Sequence, residues 1–508
     1  MPFSSPLVSS LLGLALVVAV VAAGSAVRAA HGGRALQAAQ LAYVACSALG
    51  VAFASAFGVA HAAALGLLHA GPISNLDVTL ACVLLSWLTF GALLFTLRPP
   101  CSPERVLSSV ALQLLAFAYV NVLRERVEFG DVFDFVHAAQ NLARGEHLHA
   151  RYLYPPLYAT LLEPLLPYGE RWITLLLIVL NHGALLLFFV LLRNTLVRYG
   201  FSFASAVVVT FVALCANAPL LRTLFYVQTN LHVVNLALIA LLCYPHRVVV
   251  SALALALAAS IKTSPLLLAL PFLLARDVRW LVWFAAGLLG LASITAYGHG
   301  FEPFQDYVSN AANIYRANGI NFRDNSVDSI LRASYSLLGM DLAAARAPVQ
   351  LARGALLVIG LWLCRRAVAA GLFSDAAPAR VLLVRDTYPV LMLVMTTVSP
   401  LFWEHHPVLM LLPIVLIVRR IDGPGEALLW LSAHFMIYLV PTFDIYPFSF
   451  HRMLGALLVY ALIWHYTRAP RRNGSWFEHF ERRLAALVAT SSPACAGGDR
   501  DPIARRPG

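Results

Sequence analysis

Lys262 is the single lysine of this 508-residue chain, in which the other 35 of the 36 Lys and Arg residues are arginine. It stands in an apolar run, residues 248–275, broken chiefly by Lys262-Thr263-Ser264-Pro265. Lysine is a compact ammonium on a flexible stem, whereas arginine is a planar five-donor fork. An exception of this kind marks a position that wants a point charge. At membrane depth an ionisable residue is a functional-site hypothesis, and a lysine that snorkels to the nearest interface is the competing reading. A second group, Glu404-His405-His406, puts three titratable side chains in a short turn between apolar segments, after Ser399-Pro400 and Trp403. Adjacent histidines on a helix project about 100° apart, and no thiolate or spaced carboxylate completes a ligand set, so no metal is expected there. A third, Gly130-Asp131-Val132-Phe133-Asp134, opens a helical stretch, and helix capping accounts for Asp131 as well as chemistry does. The fourth, Tyr152-Leu153-Tyr154-Pro155-Pro156, reads either as part of a site or as a rigid turn with an interfacial aromatic anchor.

The elements that must position these groups are apolar helices. The chain is 60% hydrophobic and 12% charged, with mean hydropathy +0.76. Soluble domains carry about 25% charged residues, so a soluble globular protein is excluded. Runs such as 7–23, 280–296, 355–364 and 453–464 predict an all-α polytopic membrane protein. The first run is no simple cleavable signal, because similar runs follow throughout. The net charge of +11 lies mostly in short arginine clusters between apolar runs, such as Arg193/Arg198, Arg365/Arg366 and Arg419/Arg420. That distribution reports membrane topology and not a nucleic-acid partner. The seven cysteines have neither zinc-site spacing nor a disulfide framework.

Arginine clusters thread the chain. Residues 98–105 are basic and cytoplasmic, and a helix over 106–123 exits, placing residues 125–168 outside. Arg124 and Arg126 count against that side, with Glu125 and Glu128 offsetting them. A helix from Trp172 returns to Arg193/Arg198, 203–214 exits, and 231–242 re-enters to His246/Arg247. The run holding Lys262 has basic residues at both ends yet is too short for two full spans, so two short helices must meet at the Lys-Thr-Ser-Pro step. Pro265 breaks the helix there, leaving Lys262 at the extracytoplasmic apex of a hairpin. Residues 297–349 form a long external segment, and 355–364, 388–398, 408–418, 427–440 and 453–464 continue the alternation. From Arg98 onward this makes about twelve crossings, several short, with roughly three or four further helices upstream. The domains are residues 1–97 (additional helices), 98–467 (the membrane domain) and 468–508 (a cytoplasmic basic tail read as disordered). No internal repeat is visible, which weakens a transporter reading.

On this threading all four polar groups fall on one side. In this order they resemble the GT-C membrane glycosyltransferases, and more narrowly glycosyltransferase family 87, the polyprenol-phosphate-mannose-dependent mannosyltransferases. The counterparts are Asp131, Ala138-Ala139-Gln140, Gly145 and Tyr154-Pro155-Pro156, followed by Gln228 and Asn230 of a Gly-Gln-x-Asn helix start in which Val227 replaces the glycine. Lys262-Thr263-Ser264-Pro265 matches a Lys-x-x-Pro step, and Asp324-Asn325-Ser326 partly matches an Asn-Gln-Ser element, with Arg332 beyond it. Ser399-Pro400, Trp403 and His405-His406 match a Ser-Pro-x-x-Trp-x-His-His turn, and the resemblance runs over roughly residues 106–464.

The resemblance implies a GT-C type helical bundle with extracytoplasmic loops carrying the active site, in the inner (plasma) membrane of a bacterial cell. It implies an inverting hexosyltransferase that takes a sugar, mannose foremost, from a polyprenyl-phosphate donor to a glycolipid or glycan acceptor. No cofactor is implied. A phosphate leaves as a stable anion, so one general base suffices, with cations at the leaving group. Asp131 is then the base and Asp134 its reserve. Lys262, Arg332, His405 and His406 are the donor-phosphate candidates, and Tyr154, Gln228, Asn230, Asn325, Trp403 and Glu404 the substrate-binding ones. The alternatives are a transporter or flippase of a lipid-linked sugar, and a GT-C enzyme using another prenyl-phosphate sugar such as arabinose. The residues leave acceptor and oligomeric state open.

Overall fold

The computed structural model describes residues 130–215, 217–318, 324–374, 377–440, 448–468 and 476–491. The helices expected within 1–97 and over 106–123 lie outside them. Every regular element described is helical, and the one β feature among the described residues is an isolated antiparallel bridge between Asp324 and Trp403. The chain forms α1 (Gly130–Ala143), α2 (Leu157–Leu162), α3 (Glu170–Arg198), α4 (Phe203–Cys215), α5 (Ala218–Phe225) and α6 (Asn230–Cys243). Then come α7 (Val248–Ile261), α8 (Leu270–Leu274), α9 (Val278–His299), α10 (Glu302–Asn318), α11 (Val327–Leu337) and α12 (Arg346–Ala370). The last are α13 (Ala379–Thr397), α14 (Leu411–Ile417), α15 (Pro424–His434), α16 (His451–Tyr466) and α17 (Trp476–Ser491).

Among the described residues three stretches, Glu170–Arg198, Val278–His299 and Leu342–Ala370, are long and apolar enough to cross a membrane singly. α4 and α5 together qualify as a fourth, bent by 66°. The outer faces of α3 and α9 expose Leu176, Val179, Leu186, Val282 and Leu289. Water would penalise such continuous apolar faces, and lipid accommodates them. The protein is a helical membrane protein.

Its helices run between two poles. At one, Arg198 donates to the carbonyls of Leu242 and Tyr244, Arg419 to that of Tyr199, Arg420 to those of Gly371 and Leu372, and Arg366 to that of Thr467. These bonds satisfy carbonyls that helix C-termini leave open. At the other pole stand the polar groups singled out above. α6 joins the two, with Asn230 at one end and the Arg198-bound Leu242 at the other, 14 residues that rise about 21 Å.

The Lys262 run turns back on itself. α7 ends as Lys262 adopts an extended conformation (φ −148°, ψ 128°), and Pro265 opens a 3-10 turn, Ser264–Ala269, that leads into α8. Phe272 thereby returns to Tyr244, ring centroids 5.0 Å apart, and stacks on Trp280 at 3.8 Å. Lys262 is the apex of this hairpin.

Two regions differ from their reading in the sequence. The long segment after Tyr297 is largely helical: α10 and α11 follow α9, and Asp306 and Asn310 of α10 hold the 147–152 segment by hydrogen bonds to Leu148 N, His149 O and Tyr152 O. The tail, read as disordered from its overall composition, contains α17. A local aromatic stripe overrides that average: Phe477 is buried, its ring 5.0 Å from that of Phe201, and Glu481 accepts from Ser202 N–H.

Small residues set the closest helix approaches. A Cβ on Gly360 of α12 would clash with Val394 of α13, and one on Gly455 of α16 would lie 2.7 Å from Ile437. Gly360→Val is therefore expected to destabilise the bundle by about 1–3 kcal/mol, read as a lower thermal-unfolding midpoint of the purified protein.

Candidate active site

Each functional side chain is delivered by the end of a helix or by a break between two. α7 stops at Lys262 because Pro265 cannot continue the ladder, and the freed ammonium turns to two acceptors. Its Nζ donates to Asn230 Oδ1 at 2.9 Å and lies 2.9 Å from His406 Nε2. His406 Nδ1 is 3.0 Å from the carbonyl of Leu401. A carbonyl only accepts, so Nδ1 carries the hydrogen and Nε2 presents its lone pair to Lys262. His406 thus orients Lys262, and a bound anion would meet the ammonium before the imidazole. Asn230 is fixed in turn, its Nδ2 donating to the carbonyl of His405 at 3.2 Å.

Tyr154 lies beneath the ammonium, its ring centroid 5.9 Å from Nζ, and its hydroxyl donates to Gln228 Oε1 at 2.6 Å. Phe135 of α1 meets the same ring edge-on at 5.0 Å. Asp131, near the start of α1, is within electrostatic reach of both Lys262 and Tyr154. Burial, and then the nearby Asp134 carboxylate, push the Asp131 carboxyl up to about 7, with Lys262 opposing the shift. Burial also raises Asp134, while His149, Arg151 and His137 pull it down. Two carboxylates one turn apart thus differ in environment, and the more buried one is poised to exchange a proton near neutrality.

On the other flank the Trp403–His406 turn is held by partners that the sequence did not single out. Glu404 Oε1 accepts from Tyr226 at 3.2 Å and is paired with Arg222 Nε at 3.3 Å. Glu404 and His406 therefore face different partners, Arg222 and Lys262, instead of converging on one ion. Arg222, Arg452 and Lys262 surround His405 with positive charge, and His405 Nδ1 is buried without a hydrogen-bond partner among the described residues. Asp324 supplies the main tie: its Oδ1 accepts from Phe402 N at 2.6 Å and Ser326 N at 3.0 Å, and Oδ2 from Ser326 Oγ at 2.8 Å. Asn325 N donates to Phe402 O at 2.8 Å, while Asn325 Oδ1 accepts from Arg452 N. Asn325 is thus committed to the turn, and the half-buried Trp403 pairs with Asp324 across the β-bridge. Arg332 sits on α11, which this same segment leads into.

The structure therefore joins Asp131, Tyr154, Gln228, Asn230, Lys262, Glu404, His405 and His406 into one connected group. It adds Arg222, Tyr226, Asp324 and Arg452. The signal for Asp324 was its place beside Asn325, but its partner lies 78 positions away. Chemically the arrangement offers a carboxylate that burial pushes up to about 7, a lysine that burial pushes down to about 7 with Asp131 opposing, and two further guanidinium groups. It can accept a proton and stabilise an anion a short distance away.

Residues 152–400 match the model of glycosyltransferase family 87. No curated protein and no solved structure matches the chain. The matched stretch holds Tyr154, Gln228, Asn230, Lys262, Asn325 and Arg332; Asp131 and the Trp403–His406 turn lie just beyond its two ends.

Asp324→Ala should leave the buried Phe402 N–H without its acceptor. The expected loss is about 1–3 kcal/mol, seen as a lower thermal midpoint together with a red shift of Trp403 emission as the turn loosens.

Proposed function

The chain belongs to glycosyltransferase family 87 through residues 152–400, and we propose that it transfers mannose from a polyprenyl-phosphate donor to a glycan or glycolipid acceptor with inversion. The observation that carries this reading is that Asp131 lies, at one pole of an apolar bundle, within electrostatic reach of an ammonium fixed by Asn230 and His406. A transferase from a lipid phosphate needs both charges, and needs them close to lipid.

In this reaction the acceptor hydroxyl gives its proton to Asp131 as its oxygen attacks the anomeric carbon. The bond from that carbon to the phosphate oxygen breaks, and the electron pair leaves on the phosphate. Lys262 stabilises that growing negative charge, with Arg222, Arg452 and Arg332 adding to the positive field. No cofactor is required, because the leaving phosphate needs no proton and the cations are side chains. His405, whose buried Nδ1 has no hydrogen-bond partner among the described residues, is the further candidate to bond a phosphate oxygen. We read Tyr154, Gln228 and Asn230 as the groups that meet the sugar, with Trp403 at its border, and Asn325 and Glu404, both already bonded to their neighbours, as the groups that hold that border in place.

We assign the site to the outer face of a bacterial plasma membrane, because the arginine-rich pole is the cytoplasmic one by the positive-inside rule. The bundle is then of the GT-C type, and its short helices, α6, α7 and Ser264–Leu274, let a prenyl chain lie in lipid while the phosphate reaches Lys262.

Incubation of the purified protein with labelled polyprenyl-phosphate mannose tests the reading directly: a new glycosidic bond is expected, and movement of the intact lipid-linked sugar without one would replace the enzyme by a flippase. Asp131→Asn should abolish transfer while leaving expression intact. Burial pushes Asp131 up and Lys262 down, each to about 7. The working forms are carboxylate and ammonium, so the rate should pass through a maximum near pH 7 and fall about tenfold per unit on either side, the acid-side midpoint reporting the Asp131 value. Because Asp134 helps to raise that value, Asp134→Asn should move the midpoint to lower pH. Lys262→Met should lower donor turnover about 100-fold or more, as loss of a preorganised charge partner does, an effect far larger than the fall in unfolding midpoint that comes from leaving Asn230 and His406 without their donor. Lys262→Arg should rescue poorly, since a planar fork cannot replace a point charge between Asn230 and His406.

A further inference from the structure

α1 carries more than its buried carboxylate. Val132, Phe135 and Val136 face a small core, whereas Phe133 is 59% exposed and Asp134 and His137 are half-buried on the outer side. Positions 131, 134 and 137 lie one turn apart in succession, so a path leads along one face of the helix from Asp131 to the surface. Phe133 and His137 stand 5.8 Å apart, and His137 stacks on His149 at 4.7 Å with planes 19° apart. His149 Nε2 lies 3.2 Å from the carbonyl of Asp134 and so donates to it. The rings continue inward, His149 to Tyr152 at 6.1 Å and Tyr152 to Tyr154 at 5.9 Å, ending under Lys262.

This array is built in advance of any ligand. Asp306 of α10 accepts from Leu148 N–H and lies 3.0 Å from His147 Nδ1, and Asn310 donates to His149 O. The segment bearing His149 is therefore pinned from both sides.

Flat rings with a carboxylate at their edge suit one kind of molecule. A sugar ring has an apolar C–H face and a rim of hydroxyls, so it needs a ring surface below and hydrogen-bonding groups beside it. An acyl chain needs neither. Where this protein meets lipid it exposes aliphatic residues, as along α3; beside Phe133 stand Asp134 and His137. Charged neighbours of that kind are costly against hydrocarbon.

We propose that Phe133, His137 and His149, with the Asp134 carboxylate, form the acceptor subsite, a platform on which a sugar ring of the glycan acceptor lies while it presents its hydroxyl to Asp131. The proposal rests on the glycosyltransferase reading of Asp131.

The test uses the full-length protein in lipid nanodiscs, labelled polyprenyl-phosphate mannose as donor, and octyl mono-, di- and tri-mannosides as acceptors. Phe133→Ala and His149→Ala should each raise the acceptor KM about tenfold, leave the donor KM and the kcat at saturating acceptor within twofold, and leave the unfolding midpoint in place. Phe133→Trp should restore the native KM, because it replaces one ring by another. An unchanged acceptor KM in both alanine variants overturns the platform. So does a change in donor KM or in nanodisc incorporation with no change in acceptor KM, which would make Phe133 a lipid anchor. Failure of the native protein to form a glycosidic bond with any acceptor is a distinct result, and it sinks the glycosyltransferase reading together with the subsite.

Discussion

The arrangement turns on one buried cation. An ammonium inside an apolar bundle is tolerated only if its hydrogens find acceptors and its charge finds a use. Lys262 finds Asn230 Oδ1 and His406 Nε2, and each acceptor is itself held by a backbone carbonyl: Asn230 by that of His405, His406 by that of Leu401. Those carbonyls belong to the turn between α13 and α14, which Asp324 and Asn325 clamp from outside. The ammonium, the helix start at Asn230, the histidine turn and the 324–326 segment therefore stand or fall together. His406 must stay neutral to accept from Lys262, which excludes it as a second cation while the ammonium is in place.

The split between one lysine and many arginines follows from the same physics. At the basic pole the task is to satisfy backbone carbonyls where helices end, and a guanidinium can reach several at once. Arg198 takes two such carbonyls, of Leu242 and Tyr244, and Arg420 takes two more, of Gly371 and Leu372. A fork is the right tool there, and its permanent charge also fixes orientation in the membrane. At the other pole the task is to hold a charge for something that arrives later. A compact ammonium, with a hydrogen to spare after two side-chain bonds, does that.

This division was legible in the sequence because it is compositional. The hairpin at Lys262 followed from basic residues at both ends of a run too short for two spans, and Phe272 against Tyr244 shows that fold-back. The separate duties of Glu404 and His406 were not legible. Their partners, Arg222 and Lys262, are 182 and 144 positions away, and adjacency in the chain invited a shared role instead. The same distance hid Arg452 and Asp324. α17 was missed for a different reason: averaging over the tail diluted Phe477 and Phe480, the rings that dock it. Val227, where the family pattern has glycine, now has a physical meaning, for its φ of +52° lies in the left-handed region that a β-branched residue avoids. That strain is held by Gln228 N donating to Thr223 O at 2.8 Å and by burial of Val227 itself.

Val227 also shows how the two halves of the site are joined. α1 and the Tyr152–Leu162 region rest on a small core of their own, with Phe135, Ala139, Ile173 and Val227 in it, separate from the main core of the bundle. Asp131 rides on the small core and Lys262 on the large one, so the gap between base and cation depends on how the two are fastened. The fastening is short and specific: Tyr154, whose ring packs on Phe135, donates at 2.6 Å to Gln228, and Gln228 follows the strained Val227 and precedes the Asn230 that holds Lys262. Strain at Val227 turns the chain so that residue 227 enters the small core while residue 230 faces the ammonium. A position that looks like a departure from pattern is thereby the hinge pin between the proton acceptor and the charge it must work beside.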